Sequence, residues 1–289
     1  MLSLTGFRLF GSNRRSRMAC TRAYALIIVF GPLAGEYGVS AALAQQTTSA
    51  QPTPPSASPP ASEPVGVRPR STEREKERRA MVERQIAARG VRDPDVLEAM
   101  RQVPRHWFVP EEIQHAAYRD NPVPIGEGQT ISQPYIVAFM TEALELSENS
   151  KVLEVGTGSG YQAAVLAEIT PHVYTIEIVE PLARRAIATF QERGYGTIKT
   201  KIGDGYAGWA AHAPFDAIIV TCAPEQVPPK LVEQLRMGGR ICIPVGSQHE
   251  IQRLRLVTKT AEGELESSDL MPVRFVPMIR GSSAMPGRD

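Results

Sequence analysis

The amino-acid sequence predicts an α/β fold with a mostly parallel, twisted sheet flanked by helices. An apolar run, residues 152–155, leads directly into Gly156, Gly158 and Gly160, and an apolar helical pattern follows over residues 162–169. A strand, a glycine loop and a helix in this order form the first half of a nucleotide-binding α/β unit. Further apolar runs then alternate with helical patterns, and two alternating runs near the C-terminus predict an antiparallel hairpin.

The first 44 residues are typical of a targeting segment. Arginines precede a short apolar run, residues 23–30, which falls short of the roughly 20 residues that a membrane-spanning helix needs. Small residues predict cleavage between Ala44 and Gln45. Alternatively, translation begins later, at Met18 or Met81. N-terminal sequencing of the protein from its native cell distinguishes the two.

Residues 45–72 consist mainly of Gln, Thr, Ser, Ala and Pro. Such a tract cannot bury an apolar core, so a disordered linker is predicted. One folded domain is predicted over residues 73–289. Within it, residues 73–134 are expected to form a cap of helices and loops that extends the fold at its N-terminal side, and residues 150–281 are expected to form the α/β core.

The predicted cap contains two helices and an aromatic segment. The charge run at residues 73–79 indicates a solvated face of the first helix. Asp93 and Pro94 are predicted to be the N-cap and first turn of the second helix. The proline-bounded segment over residues 103–110 is predicted to be extended, with His106 in a structural role.

A third helix is predicted to begin at Pro134 and to run to about Leu146. Ser132, two residues before the proline, is well placed to be its N-cap. A purely capping role for Ser132 is therefore the alternative to a role in function.

The core is predicted to continue with strands, helices and a terminal hairpin. The predicted strands are residues 173–177, 197–202, 215–221 and 240–245. The predicted helices are residues 180–193 and 228–235, and Gly238-Gly239 is expected to stop the second of them. The hairpin is expected to pair residues 252–259 with residues 270–276. Ligands of open α/β sheets bind at the carboxyl ends of the strands. Glu177 ends the second strand, where a carboxylate can accept hydrogen bonds from both ribose hydroxyls of an adenosine. Asp204 follows the third strand and is predicted to accept a hydrogen bond from an adenine amino group, with an ordinary Asp-Gly turn as the alternative.

The glycine loop distinguishes between cofactors. A dinucleotide-binding fingerprint has Gly or Ala three residues after its second glycine, but Tyr161 stands there and is too large for close helix–strand packing. Glu154 precedes the glycines, and Glu-x-Gly-x-Gly-x-Gly resembles motif I of the class I S-adenosylmethionine-dependent methyltransferases. The predicted cofactor-binding residues are Glu154, Gly156, Thr157, Gly158, Gly160, Glu177, Gly203, Asp204 and Gly205.

Composition narrows the function further. A formal net charge of +1 gives no global electrostatic case for a nucleic-acid partner. Cys20, Cys222 and Cys242 lack metal-ligand or redox spacing, so no metal is predicted. Cys222 and Cys242 are expected to be small buried thiols in or near strands.

Several further motifs resemble those of the protein-L-isoaspartate (D-aspartate) O-methyltransferase family. The most specific is the loop formed by Gln129, Thr130, Ile131, Ser132, Gln133 and Pro134, and other matching segments are residues 103–105, 108–110, 153–162, 203–205, 213–218 and 273–277. The resemblance covers roughly residues 81–281. It implies a Rossmann-like class I methyltransferase that transfers a methyl group from S-adenosylmethionine to the α-carboxylate of L-isoaspartyl, and also D-aspartyl, residues of damaged proteins, which initiates their repair.

The resemblance also implies roles for the loop residues. Ser132 would be the active-site residue that orients the carboxylate, with Thr130, Ile131, Gln133 and Pro134 forming the substrate loop. A carboxylate is ionised near neutral pH because its reference pKa is about 4, so no general base is needed. Damaged proteins or peptides would be the partners of a monomer that has no membrane span. The sequence departs from the family in its N-terminal 72 residues and at Cys222, where alanine is expected.

Other functions remain open at this point. A class I methyltransferase acting on RNA or on a small molecule is one, although no basic and aromatic cluster predicts an RNA platform. An NAD-dependent oxidoreductase is disfavoured by Tyr161, and a non-enzymatic binding protein by the retained Glu154, Glu177, Asp204 and Ser132. Since S-adenosylmethionine is expected to be a cytosolic metabolite, the working enzyme is predicted to be cytoplasmic, with the periplasm as the alternative.

Overall fold

The computed structural model describes residues 71–281. The predicted targeting segment, residues 1–44, and all but the last two residues of the predicted linker lie outside the described residues. The helices are α1 (Glu75–Met81), α2 (Pro94–Gln102), α3 (Pro134–Ala143), α4 (Tyr161–Ile169), α5 (Glu180–Glu192) and α6 (Pro229–Glu233). The strands are β1 (Val123–Gly126), β2 (Gln129–Ile131), β3 (Val152–Val155), β4 (Val173–Glu177), β5 (Lys199–Ile202), β6 (Phe215–Val220), β7 (Leu235–Val245), β8 (Gln252–Lys259) and β9 (Leu265–Val273).

Seven strands form the central sheet in the order β5-β4-β3-β6-β7-β8-β9. The first five of these strands pair in parallel, and β8 and β9 add antiparallel strands at one edge. The predicted α/β class with a C-terminal antiparallel hairpin is therefore confirmed. The chain runs outward from β3 to β5 and then returns to β6 on the other side of β3. This reversal makes the carboxyl ends of β3 and β6 the place where such a sheet binds a ligand.

Two neighbouring strands in the middle of the sheet, β3 and β4, are buried along their whole length. Every residue of β3 and β4 is buried, which is typical of parallel strands covered by helices on both faces. Two carboxylic acids, Glu154 and Glu177, are among these residues. Buried acids need partners or a changed pKa, so both mark the ligand-binding end of the sheet.

Several predicted boundaries of the C-terminal half were wrong. The strand β7 begins at Leu235, not at residue 240, and runs through Gly238 and Gly239 because Leu235 already pairs with Phe215. The strand β9 begins and ends earlier than predicted. Residues 274–276 do not continue the pairing of β9 with β8, because the side chain of Gln252 forms the hydrogen bond there instead. Its Oε1 accepts from the Phe275 N–H at 2.6 Å.

The N-terminal cap contains the predicted helices, but one residue of its charge run is buried although the run was predicted to be exposed to solvent. Asp93 is the N-cap of α2, and its carboxylate accepts hydrogen bonds from two backbone N–H groups, as predicted. Arg78, in the charge run predicted to be solvated, is instead buried and donates to the carbonyl of Arg101 at 2.7 Å. The segment predicted to be extended forms a 3-10 turn over Arg105–Phe108, closed by a hydrogen bond from the Trp107 N–H to the Pro104 carbonyl.

His106 has the structural role that was predicted. Its ring nitrogens lie 2.7 Å from the Tyr118 hydroxyl and 3.0 Å from a carboxylate oxygen of Glu73. Burial lowers the pKa of His106, although its contact with Glu73 opposes that change.

No helix in the described part of the chain has the length and apolar character needed to cross a bilayer.

Candidate active site

A cleft with about 790 Å³ of free space lies at the carboxyl ends of β3, β4 and β6. Nine of the fourteen predicted site residues line it, namely Thr130, Ile131, Ser132, Glu154, Gly156, Thr157, Gly158, Glu177 and Gly205. The other five, Gln133, Pro134, Gly160, Gly203 and Asp204, are not among its lining residues. The cleft therefore unites the predicted substrate loop with most of the predicted cofactor site.

The three loop glycines are all in the left-handed region, with φ of 100° at Gly156, 52° at Gly158 and 89° at Gly160. A Cβ on Gly156 would lie 2.5 Å from the Thr221 hydroxyl oxygen, and one on Gly160 would lie 2.6 Å from the Phe190 ring. At these two positions glycine is required by the protein's own packing. Gly158 lines the cleft and a Cβ there would make only ordinary contacts, so at this position the missing side chain leaves room for a ligand.

Glu177 fastens the glycine loop to the end of β4. Its Oε2 accepts from the Gly158 N–H at 2.8 Å, and its Oε1 accepts from the Val179 N–H at 2.9 Å. Each carboxylate oxygen has a second lone-pair site. A buried carboxylate that lines the cleft with acceptor capacity to spare suits a pair of ribose hydroxyls.

Glu154 lies on the floor of the cleft and is fully buried. Its Oε2 accepts from the hydroxyl of Thr175, which in turn lies 2.6 Å from the Thr157 hydroxyl. Its Oε1 has no hydrogen-bond partner among the described residues. Burial raises the pKa of Glu154 to about 8, the hydrogen bond from Thr175 opposes that rise, and the nearby charge of Glu177 adds to it. The free protein therefore holds a proton on Glu154 near neutral pH.

The hairpin of β1 and β2 carries the substrate loop to the cleft. Its turn has positive φ at Glu127 and Gly128. Arg185 on α5 holds this hairpin, since its guanidinium donates to the Ile125 carbonyl at 3.1 Å and lies 3.7 Å from the Glu127 carboxylate. The loop is thus attached to the second helix of the core as well as to the cap.

Ser132 is not the N-cap of α3, which was the alternative to its predicted role in function. Gln133 occupies the N-cap position of α3, and no side chain caps that helix. The Ser132 hydroxyl has no hydrogen-bond partner among residues 71–281, and it lines the cleft. The Ser132 carbonyl accepts from a terminal N–H of Arg105 at 2.6 Å.

Arg105 was not identified as a site residue from the sequence. Its side chain is fully buried, its Nε donates to the Ala117 carbonyl at 2.8 Å, and its guanidinium lies 4.8 Å from the centre of the Tyr161 ring. Burial lowers its pKa to about 10, and the neighbouring Tyr161 and Tyr118 oppose that effect. The arginine joins the cap, the substrate loop and the residue that follows the glycine loop.

Gln133, Pro134 and Asp204 do not line the cleft. Gln133 donates its side-chain amide to the Asp120 carboxylate at 2.8 Å, and Pro134 begins α3. Asp204 accepts from the Tyr206 N–H at 2.8 Å and from the Gly281 N–H at 3.4 Å, so it organises its own turn. The adenine role of Asp204 stays a prediction.

The turn formed by Gly203, Asp204 and Gly205 reaches the cleft through Gly205. A Cβ at Gly205 would lie 2.4 Å from a methyl carbon of Val155. Gly203 instead donates its N–H to the Glu177 carbonyl at 2.9 Å. The turn thus packs directly beside the glycine-loop strand.

Sequence reasoning also missed two parts of the cleft wall. They are Thr221 and the segment from Val276 to Ile279, whereas Cys222, which also lines the cleft, was expected near the substrate face. The position of Thr221 at the carboxyl end of β6 was the available signal. Cys222 is half-buried and Cys242 is buried, so of these two cysteines the prediction of a buried thiol holds only for Cys242. The partial burial of Cys222 raises the pKa of its thiol. Among the described residues no group of His, Cys, Asp and Glu is arranged to hold a metal ion.

Comparisons with known proteins agree with this geometry. The family model of protein-L-isoaspartate(D-aspartate) O-methyltransferase matches residues 76–283. A protein-L-isoaspartate O-methyltransferase from Opitutus terrae is 60% identical over 207 residues, which are 72% of this chain and 88% of that protein. One from Gloeobacter violaceus is 54% identical over 200 residues, covering 69% and 97% of the two chains.

A solved structure gives the same result for the fold. A Plasmodium falciparum protein-L-isoaspartate O-methyltransferase, in complex with S-adenosyl-L-homocysteine, is 26% identical, with a TM-score of 0.63. The match covers 71% of this chain and 99% of that one.

Proposed function

The chain belongs to the protein-L-isoaspartate(D-aspartate) O-methyltransferase family, and on this premise we propose that it moves a methyl group from S-adenosylmethionine to the α-carboxylate of isoaspartyl residues in damaged proteins. One observation carries the assignment of residues. The substrate loop with Ser132 and the acid-and-glycine site with Glu154 and Glu177 line the same cleft. A methyl donor and a carboxylate acceptor bound there would be neighbours.

The cleft fits S-adenosylmethionine. Its lining combines buried acids with backbone amides at the carboxyl ends of the strands, where open α/β sheets bind their ligands. Glu177 would hold the ribose hydroxyls, and the backbone from Gly156 to Gly158 would cradle the methionine half. Glu154 offers a buried acceptor that has no partner among the described residues, and a bound cation stabilises the ionised form of such an acid. When bound, S-adenosylmethionine supplies an electrophilic methyl group on a sulfonium centre.

The residues of this chain contribute positioning rather than acid–base chemistry. The substrate carboxylate is already ionised near neutral pH. Ser132 would donate its unengaged hydroxyl to one carboxylate oxygen and so aim the other at the methyl carbon. Arg105 would hold the Ser132 backbone through its carbonyl. Thr130 and Ile131, on the hairpin, would cover the substrate and exclude water. Catalysis by orientation of this kind can supply several kcal/mol of the barrier reduction.

We propose in addition that the enzyme works as a monomer in the cytoplasm and binds no nucleic acid. The net charge of +1 supports the absence of a nucleic-acid partner. The expected cytosolic supply of S-adenosylmethionine supports the location. Sedimentation of the purified chain at assay concentration checks the monomer, and a dimer would refute it.

Matched peptides test the proposed reaction directly. With a radiolabelled methyl donor, the enzyme is expected to label a peptide that contains L-isoaspartate and to leave the same peptide with normal aspartate unlabelled. The incorporated label is expected to be released by base, because the product is a methyl ester. Binding of S-adenosylhomocysteine without transfer to either peptide would instead favour an RNA or small-molecule substrate.

A pH-dependent stability is expected from Glu154. Its pKa is about 8 in the folded chain against an ordinary value of 4.5, so between these values the folded state holds one proton more than the unfolded state. The contribution is fully present below 4.5 and is lost as the pH rises through 8. The free energy of unfolding should therefore fall with rising pH by up to about 1.4 kcal/mol for each pH unit.

Urea unfolding of the ligand-free protein at about pH 5.5 and about pH 7.5 measures this effect. The variant Glu154→Gln has no titrating group there and should lose clearly less stability across the same interval. Equal losses in the two proteins would show that Glu154 is ionised in the folded state at neutral pH.

A further inference from the structure

We propose that a groove beside the active-site cleft selects substrates with an acidic side chain next to the isoaspartyl residue, and that Arg274 binds that side chain. The inference rests on the proposed function, because it concerns the same substrate. The groove holds about 820 Å³ of free space. It shares Thr130, Ser132 and Thr221 with the cleft. A peptide whose altered residue reaches Ser132 can therefore pass its neighbouring residues into this groove.

The groove is basic. Arg89 and Arg274 line it, and no aspartate or glutamate is among its lining residues. The two arginines differ in their surroundings. Arg89 lies 3.6 Å from the centre of the Tyr135 ring and pairs with Asp120 at 3.0 Å, so its charge is compensated and its position is fixed. Arg274 is exposed and has no hydrogen bond or ion pair with any residue from 71 to 281.

The backbone on both sides of Arg274 is held in place. Val273 pairs with Gln252 in the sheet, and the backbone N–H and carbonyl of Phe275 both bond to the Gln252 side chain, at 2.6 and 3.1 Å. The arginine thus projects an uncommitted guanidinium from a fixed point of the groove wall. A planar guanidinium binds a carboxylate through two parallel hydrogen bonds. An aspartate or glutamate side chain is therefore the fitting occupant.

Another opening beside the cleft fits this role less well. A second groove shares Pro277, Met278 and Ile279 with the cleft, but it does not include the Ser132 loop. It contains a glutamate, Glu225, and its arginine, Arg280, lies 3.9 Å from the centre of the Tyr206 ring. Of these two grooves, the Arg274 groove is the one that combines contact with Ser132 and a cation without a partner among residues 71–281.

Kinetics with a peptide series tests the proposal. Each peptide has one isoaspartyl residue and carries glutamate, glutamine or lysine either before or after it. For the side that enters the groove, the wild type is expected to show a kcat/KM about two- to fivefold higher for glutamate than for glutamine, the range expected for a solvent-accessible ion pair. The difference should lie mainly in KM and shrink as salt is added.

Arg274→Gln is expected to remove this preference, so that kcat/KM becomes equal for the glutamate and glutamine peptides. Arg253→Gln is the matched control, because Arg253 is an exposed arginine on β8 that does not line the groove; it should keep the preference. Equal rates for all peptides in the wild type, or a preference that survives in Arg274→Gln, would overturn the inference while leaving the proposed function intact. Failure to methylate any isoaspartyl peptide would refute the proposed function instead.

Discussion

Replacement of Ser132 by alanine is expected to lower turnover by roughly 10- to 1,000-fold, the range for losing one donor that orients a reacting oxygen. Ser132 lines the cleft and its hydroxyl has no partner among the described residues, so removal of that hydroxyl breaks no hydrogen bond within that part of the protein. Cofactor affinity should therefore change little. Single-turnover methylation of an isoaspartyl peptide, together with calorimetric titration of S-adenosylhomocysteine, separates the two quantities.

Ser147→Ala provides a control for the Ser132 experiment. Ser147 is exposed and its hydroxyl lies 3.1 Å from that of Ser150, away from the cleft, so turnover should be unaffected. Full turnover with normal Michaelis constants in Ser132→Ala would remove this residue from the mechanism. An equal loss of turnover and of cofactor affinity would point to a collapsed cleft rather than to a lost donor.

Replacement of Arg105 by methionine is expected to lower the free energy of unfolding by about 2–4 kcal/mol. The change leaves the carbonyls of buried Ala117 and half-buried Ser132 without their donor, and such a loss costs about 1–3 kcal/mol where the group is buried. Removal of a buried charge that has no acidic partner among the described residues recovers part of that cost. Because the Ser132 backbone also loses its anchor, turnover in the folded fraction should fall while S-adenosylhomocysteine still binds.

Urea unfolding and steady-state assays of Arg105→Met measure both effects. Arg79→Gln serves as the control, since Arg79 is exposed and pairs with Glu75 one helical turn away, an interaction that solvent screens strongly. Arg105→Lys keeps the charge but not the two-armed geometry, and should fall between the wild type and Arg105→Met. Wild-type stability and turnover in Arg105→Met would contradict the positioning role.

Local sequence patterns were sufficient where the fold depends on local rules. The strands at residues 152–155, 173–177 and 252–259 were predicted with their observed bounds, because apolar or alternating runs there are closed by glycine, acid or turn residues. The capping of α2 by Asp93 was predicted for the same reason. Each of these features depends on residues only a few positions apart.

Contacts between distant residues explain the predictions that were wrong. The strand β7 begins as early as Leu235 because Leu235 pairs with Phe215 on the neighbouring strand. No pattern in the sequence around Leu235 indicates this pairing. Arg78 resembles any residue of a charge run, and only its contact with the Arg101 carbonyl shows that it is buried. Ser132 had the sequence context of a helix cap, but its neighbour Gln133 takes that position. The composition of a site can be predicted from motifs, whereas the residues that hold it in place cannot.

The wall of the cleft formed by residues 276–279 has a consequence for the synthesis of the protein. The ribosome makes the substrate loop and the glycine loop first, and it adds Val276, Pro277, Met278 and Ile279 only after the last strand of the sheet. A nascent chain that has already folded β3 and β4 still lacks this side of the cleft. A product truncated at residue 275 would therefore keep the substrate loop and the glycine loop but have its cofactor pocket open on one side.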